Sequence, residues 1–362
     1  MNRRALQLGI IAIIVIAVVA GAIYYMTQEG ERGELLVYVY DSFMAYGKEG
    51  EKKLDTLIRS FEEKYNINVT VKKFDSAQDA YNAVLNEIDL GKKTADVIIG
   101  ITPSLAAEGK KKGIFEKIDV DVSNVNRTVI SILDPEGYVI PLDYSYLAMI
   151  VDTDRLNVTD LSLEDFALSS ELASKLIVIN PTTSGTGLEF LYWQYAYYEY
   201  ILGENWTVWW KSIINKAYVA SSWSSAFDIF YGDQNRPIMV SYATDPAYSY
   251  YFYNSTNLRA FVSHHEGYYY GWMYVEGVAV IKGTEHLKEA KLFVEYLLSE
   301  DFQKEIPLNN WMYPVIPVAL PEAYKYALDT SKVIPLNDKI PPESIEALKK
   351  YLTVEWLKII KE

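Results

Sequence analysis

Between Leu35 and Gly100 the chain alternates buried-strand and amphipathic-helix patterns in the order β-α-β-α-β, and that order leaves few folds open. Leu35-Leu36-Val37-Tyr38-Val39-Tyr40 is an unbroken apolar, β-branched and aromatic run, the composition of a strand covered on both faces. Leu54, Leu57, Ile58, Phe61 and Tyr65 then recur at helical spacing with Lys and Glu opposite, which predicts a helix over roughly 49–65. Ile67, Val69 and Val71 alternate with polar residues as in a strand. Helical spacing returns through Tyr81, Val84, Leu85 and Ile88 over 77–90, and Ala95-Asp96-Val97-Ile98-Ile99-Gly100 reads as a third buried strand. Strands in this order run parallel through right-handed crossovers, and ligands bind beyond their carboxyl ends, here Tyr40-Asp41-Ser42 and Gly100-Ile101-Thr102.

The chain has 362 residues, half of them hydrophobic, enough for the cores of two lobes. A net charge of -14 repels phosphate backbones and speaks against a nucleic-acid partner. There is no cysteine, hence no disulfide, thiolate metal site, catalytic thiol or lipid-bearing cysteine. At the N-terminus Arg3 and Arg4 precede an apolar run from Leu6 to Met26, close to the ~20 residues a helix needs to cross a bilayer. Residues 1–28 therefore read as a membrane anchor with the bulk of the chain on the extracytoplasmic side. Ala20-Gly21-Ala22 leaves a cleaved signal segment as the alternative. Five Asn-x-Thr sequons, at Asn68, Asn126, Asn157, Asn205 and Asn254, fit an exported chain.

Enzymatic constellations are scarce. Three histidines lack metalloprotease spacing, no phosphate loop with its Lys-Ser/Thr end occurs, and most carboxylates sit in charge patterns typical of solvated helix faces. The loop Thr182-Thr183-Ser184-Gly185-Thr186-Gly187, after the buried strand Leu176–Ile179, has the small residues and donors of an anion site at a helix start. An ordinary Ser or Thr N-cap is the plainer reading. Aromatic residues supply a second signal, with 8 Trp and 31 Tyr. Three groups lie among small polar residues: Ser221 to Ala226 around Trp223, Ser241 to Tyr248, and Asn309 to Pro314 around Trp311. Such rings can stack on a sugar or hold a cation at ~0.5–2 kcal/mol per contact, although each would serve equally as a core plug. The stripes Tyr192, Tyr195, Tyr198 and Trp206, Trp209, Trp210 are assigned to packing.

The blocks Val37–Phe43, Ala95–Gly100, Ile140–Tyr144, Pro181–Ser184, Ser222–Ser224, Ser241–Tyr248 and Asn310–Val315 resemble, in this order, those of the thiamine-binding proteins of bacterial ABC importers. The resemblance implies a two-lobed periplasmic-binding-protein fold of type II, each lobe a mostly parallel sheet flanked by helices. Approximate bounds are 34–139 plus 274–310 for one lobe and 140–273 plus 311–362 for the other, with crossings near 138–146, 236–244 and 272–280. It implies a monomeric binding subunit, not an enzyme, that uses no cofactor and passes thiamine or a thiamine phosphate to a permease with its ATPase subunits. By position, Trp223, Tyr242, Tyr248 and Trp311 would surround the ligand rings, Tyr40 would end the first strand, Ser184 with Gly185 would face a phosphate, and Asp75 would meet the aminopyrimidine. Aromatic faces would stabilise the thiazolium without the desolvation cost of a buried carboxylate. Where relatives carry an acid after the third strand this chain has Ile101-Thr102, and position 185 is Gly where relatives can have a hydroxyl. A polyamine, oligosaccharide or iron ligand, or a glycan-acting enzyme, are the competing readings.

Overall fold

The computed structural model describes residues 32–361. The anchor expected over 1–28 lies outside them, and among the described residues no helix is long and apolar enough to cross a membrane. In chain order the strands are β1 (Gly33–Tyr40), β2 (Ile67–Phe74), β3 (Val97–Ile101), β4 (Phe115–Glu116), β5 (Val139–Asp152), β6 (Leu176–Ile179) and β7 (Tyr218–Ala220). They continue with β8 (Ile238–Tyr242), β9 (Leu258–Phe261), β10 (Ser263–His265), β11 (Tyr268–Ile281), β12 (Tyr313–Pro314) and β13 (Val333–Pro335). The main path across the sheet is β2-β1-β3-β11-β5-β8-β6-β7.

One end of that path is the predicted βαβαβ unit. β1 pairs in parallel with β2 and β3, and the helix Lys52–Tyr65 buries Leu54, Leu57, Ile58 and Phe61 on the expected face. It starts later than the periodicity predicts because Gly47 and Gly50 close a turn, the Gly50 N–H donating to the Gly47 carbonyl at 3.0 Å. At the other end β6 pairs in parallel with β7 and β8. Each parallel strand there hands over to a helix: Gly185–Ala196 after β6, Trp223–Gly232 after β7 and Asp245–Tyr253 after β8.

The two ends are joined by β5 and β11, each 14 residues long and antiparallel to the other. Their register breaks between Glu276 and Gly277, opposite Asp143 and Pro141. Proline has no N–H to give the ladder, so the pairing bulges where Pro141 enters it. Beyond the break the C-terminal part of β11 pairs with β3, while the C-terminal part of β5 pairs with β8. Gly277 is required at this crossing. A Cβ there would stand 2.5 Å from Leu133 Cδ2, 2.7 Å from Val139 Cγ1 and 2.9 Å from the Ile140 carbonyl oxygen.

The structure changes several local expectations. The loop predicted from Ser221 to Ala226 is the start of a helix, because the Ser222 hydroxyl accepts the Ser225 N–H at 3.1 Å and caps it. Trp223 is therefore the first residue of that helix, and Asp245 plays the same part after β8. The aromatic stretch from Leu188 to Ile201 belongs to the helix Gly185–Ala196 and a π-helical segment, Tyr197–Leu202. Tyr192, Tyr198, Trp206, Trp209 and Trp210 are buried in the core, with Tyr195 half-buried against Trp206. The C-terminal helix Pro342–Ile359 straps the two ends together. Its Trp356 packs edge-on against Trp210, while Glu346 pairs with Lys111 at 2.8 Å.

Gly277→Ala should cost about 1–3 kcal/mol through overpacking against backbone and two core side chains. Thermal unfolding of the soluble portion should show a midpoint several degrees lower, and an unchanged midpoint would show that the bulge has slack the distances do not reveal.

Candidate functional site

Five strand-to-helix turns converge on one cavity, as the parallel topology demands. Asp75, Ser76 and Ala77 arrive after β2, Thr102 and Ser104 after β3, and the segment from Thr183 to Thr186 after β6. Ser222, Trp223 and Ser224 follow β7, and Asp245 follows β8. The cavity has a volume of about 160 Å³. All eight residues singled out from the sequence line it: Tyr40, Asp75, Ser184, Gly185, Trp223, Tyr242, Tyr248 and Trp311.

The loop after β6 is held by its own side chains. The Asn180 carboxamide oxygen accepts both the N–H and the hydroxyl of Thr182 at 2.8 Å, and the Thr183 hydroxyl donates to the Ser221 carbonyl at 2.7 Å. Ser184 is the N-cap of the helix Gly185–Ala196, yet its side chain makes no capping bond. Its hydroxyl, with the unpaired N–H groups of the helix start, is left for the cavity. Thr186 shares a hydrogen bond of 2.9 Å with the Tyr242 hydroxyl.

Aromatic rings continue the wall beside this loop. Trp223 lies 5.4 Å edge-on from Tyr46, 5.1 Å from Phe227 and 6.2 Å from Tyr242, centroid to centroid. Its indole N–H donates to the Ser241 hydroxyl at 2.9 Å. Trp311 is placed differently from the exposed plate that the sequence suggests. It is only 6 % exposed, stacks on Tyr324 at an interplanar angle of 7° and meets Tyr248 edge-on at 5.1 Å. Its backbone is left-handed, with φ 54, uncommon for a bulky residue and a strain that marks functional segments. Its indole N–H donates to the Tyr46 carbonyl at 3.0 Å and its carbonyl accepts from the Thr244 hydroxyl.

Apart from Asp75, the carboxylates were missed by the sequence reading. Glu276, at the bulge of β11, lines the cavity and accepts hydrogen bonds from Tyr40 at 2.6 Å and Tyr274 at 3.0 Å. Directly across the ladder is Asp143, fully buried, whose Oδ2 accepts from the Asn310 amide at 2.8 Å. Two like charges in opposed positions of a ladder destabilise it unless one is neutralised. Burial, then the Glu276 charge, raises the Asp143 pKa well above the carboxylate range, while burial raises Glu276 against the pull of the two tyrosine hydroxyls. The pair thus holds a proton more readily than two separate carboxylates would. Asp245 stands in the wall with Glu276 and Asp75. Burial pushes it up to about 7, opposed by hydrogen bonds from the Ser241 hydroxyl and the Tyr242 N–H. The expectation that the site avoids buried carboxylates is therefore corrected, because Glu276 on β11 and Asp245 after β8 both enter the wall and hydroxyl donors lower their desolvation cost.

Glu276 did have a sequence signal, a single acid inside the apolar run from Gly271 to Ile281. Asp245, Thr186 and Asn310 lay inside segments already singled out. Tyr46, Phe227 and Tyr274 carried no local mark, since their place depends on pairing between distant strands. Among the described residues no group of three or more His, Asp or Glu could hold a metal ion.

Comparison with known proteins finds relatives along most of the chain. A thiamine-binding periplasmic protein of Brucella melitensis is 28% identical over 330 residues, 90% of this chain and 92% of that one. Its namesake in Escherichia coli is 27% identical over 332 residues, 90% of this chain and 93% of that one. A solved periplasmic thiamin binding protein superposes with a TM-score of 0.77 at 26% identity, covering 91% of this chain and 96% of the other, which establishes the two-lobed α/β fold. Residues 37–304 match the profile of the bacterial extracellular solute-binding proteins, and the chain belongs to that family.

Proposed function

We propose that this chain captures thiamine or a thiamine phosphate in the cavity between its lobes and delivers it to the permease of an ABC importer. The observation that carries the reading is the mixed wall. Trp223, Tyr242 and Tyr274 stand with the carboxyl of Glu276, surroundings for a flat cationic ring. Beside them, and joined to Tyr242 through the Thr186 hydroxyl, the start of the helix Gly185–Ala196 offers N–H and hydroxyl donors to an anion. A thiazolium with a phosphorylated or hydroxylated tail has this polarity, and the names of relatives matched over nine-tenths of the chain point the same way. Tyr40, Tyr248, Trp311 and, at the exposed mouth, Asp75 complete the set of ligand-facing residues.

In this reading the lobes comprise 34–139 plus 274–310 and 140–273 plus 311–362, and the β5–β11 crossing is where they hinge. Closure traps the ligand, and the closed form is what the permease recognises. The apolar run from Leu6 to Met26 tethers the chain to the membrane, with the cavity on the extracytoplasmic side. Binding, not catalysis, is the task. The Asp143–Glu276 acids are in hydrogen-bonding contact, unlike the ~5–9.5 Å separation of a glycosidase pair.

Calorimetry with thiamine, its monophosphate and its diphosphate tests the proposal, with a polyamine and an oligosaccharide as competitors in thermal shift. Tighter binding of a competitor would replace it. Trp223→Ala should weaken thiamine binding at least ~30-fold, the ~2 kcal/mol of a desolvated cation–π contact, while the far-ultraviolet dichroism stays unchanged. Affinity should also fall as the pH drops. Burial raises the pKa of Glu276, so it takes its proton above the usual glutamate range and loses its attraction for a cation there. Glu276→Gln should lower affinity about 10- to 100-fold at neutral pH, the ~1.5–3 kcal/mol of a charge-assisted contact, and flatten that pH profile. A profile that stays steep in the variant would assign the titration to Asp245.

A further inference from the structure

Threonine stands two places after asparagine six times in this chain, at Asn68, Asn126, Asn157, Asn180, Asn205 and Asn254. With 17 asparagines and 17 threonines among 362 residues, a random order would produce about 0.8 such pairs. Serine is more abundant, at 24 residues, yet never takes that place. The excess is specific to threonine and calls for a cause.

Local structure supplies one for half of the six. In Asn126, Asn180 and Asn205 the carboxamide oxygen accepts the threonine N–H at 2.8–3.0 Å, an Asx turn, and in Asn180 and Asn205 it accepts the threonine hydroxyl as well. At Asn68, Asn157 and Asn254 the side chains of the pair make no hydrogen bond to each other or to any other described residue, so turn geometry does not explain them. Asn180 is set apart by Pro181, which removes it from the acceptor pattern. It is also the one of the six whose loop walls the ligand cavity.

We propose that the chain carries N-linked glycans at Asn68, Asn157, Asn205 and Asn254. All four are exposed, and their amide nitrogens donate to nothing among the described residues. Asn126 is exposed too, but its side chain meets the Tyr144 hydroxyl and is the poorer acceptor. None of the four lines the cavity. They are spread around the molecule: Asn68 on the edge strand β2, on the same face as Thr70, Asn157 after β5, Asn205 before the helix Thr207–Ile213, and Asn254 at the left-handed end of Asp245–Tyr253. The donor is an oligosaccharide linked through phosphate to a lipid. The amide nitrogen forms a bond to the anomeric carbon and loses a proton, and the bond from that carbon to the phosphate oxygen breaks, the lipid phosphate leaving with its electron pair. Extracytoplasmic residence, as in the rest of the family, puts the chain where such donors are used.

The test is mass spectrometry of the chain purified from the cells that naturally make it, with bacterial cytoplasmic material of the same sequence as the unmodified control. The intact mass should exceed the polypeptide in glycan-sized steps, and glycopeptides should map to Asn68, Asn157, Asn205 and Asn254. Thr159→Ala should remove one step by erasing the Asn157 pattern while leaving the acceptor itself, and thiamine affinity should not change. Peptides recovered wholly unmodified at all four positions, or an unchanged mass for the Thr159 variant beside an intact native glycan at Asn157, would overturn the assignment.

Discussion

The antiparallel pairing of β5 with β11, broken at Glu276 and Gly277 against Pro141 and Asp143, is the constraint on which the rest of the molecule depends. A single ladder of 14-residue strands belongs to both ends of the sheet, so the two parallel units cannot be placed independently. Pro141 forces the ladder to bulge, and the bulge accepts only a residue without a Cβ at 277. Up to that break strand alternation holds, so Glu276 shares the face of Tyr274 and reaches the cavity with it, while Asp143 stays buried behind.

Charge in the cavity follows from topology in the same way. Parallel strands deliver helix N-termini to their carboxyl ends, and each N-terminus is worth about half a positive charge. Left uncompensated, five of them would repel a cation. Asp75, Asp245 and Glu276 offset that field, and the hydroxyls of Tyr40, Tyr274 and Ser241 stabilise the acids where water is excluded. The result is a wall of mixed sign, with the donor-rich helix start at Gly185 and the ring-lined, acid-backed face around Trp223 presented to the same small volume. A ligand of one charge alone would leave part of this wall unsatisfied.

The sequence showed the first parallel unit almost completely, because β1, β2 and β3 and their helices carry periodicities that need no distant partner. The turns at 182–187 and 221–226 were marked by small residues, Ser and Trp or Thr and Gly, whereas Tyr40, Asp75, Tyr242, Tyr248 and Trp311 were placed through the family resemblance; all of them line the cavity. Secondary structure at those turns was harder to read. Ser222 looks like a loop residue until its capping bond is seen, and Trp311 looks exposed until Tyr324 covers it. Glu276 and Tyr274 stayed hidden for a different reason. Their role arises from pairing with Asp143 and Ser145 more than a hundred positions away, and a strand pattern says nothing about which strand lies beside it.

The aromatic wall also bears on how the cleft opens. Tyr46, in the segment after β1, meets Trp223 at 5.4 Å and Phe227 at 6.4 Å, both from the far end of the sheet. Its carbonyl holds the Trp311 indole, and its hydroxyl is hydrogen-bonded to Ser224. These two ring pairs contribute ~0.5–1.5 kcal/mol each to the contact between the ends of the sheet. A flat molecule stacked on Trp223 would strengthen that arrangement by the difference between its contacts there and with the rings apart, and by no more than that. The rings that line the cavity therefore also bridge the two ends of the sheet, so a change at Tyr46 or Trp223 alters the wall and that contact together.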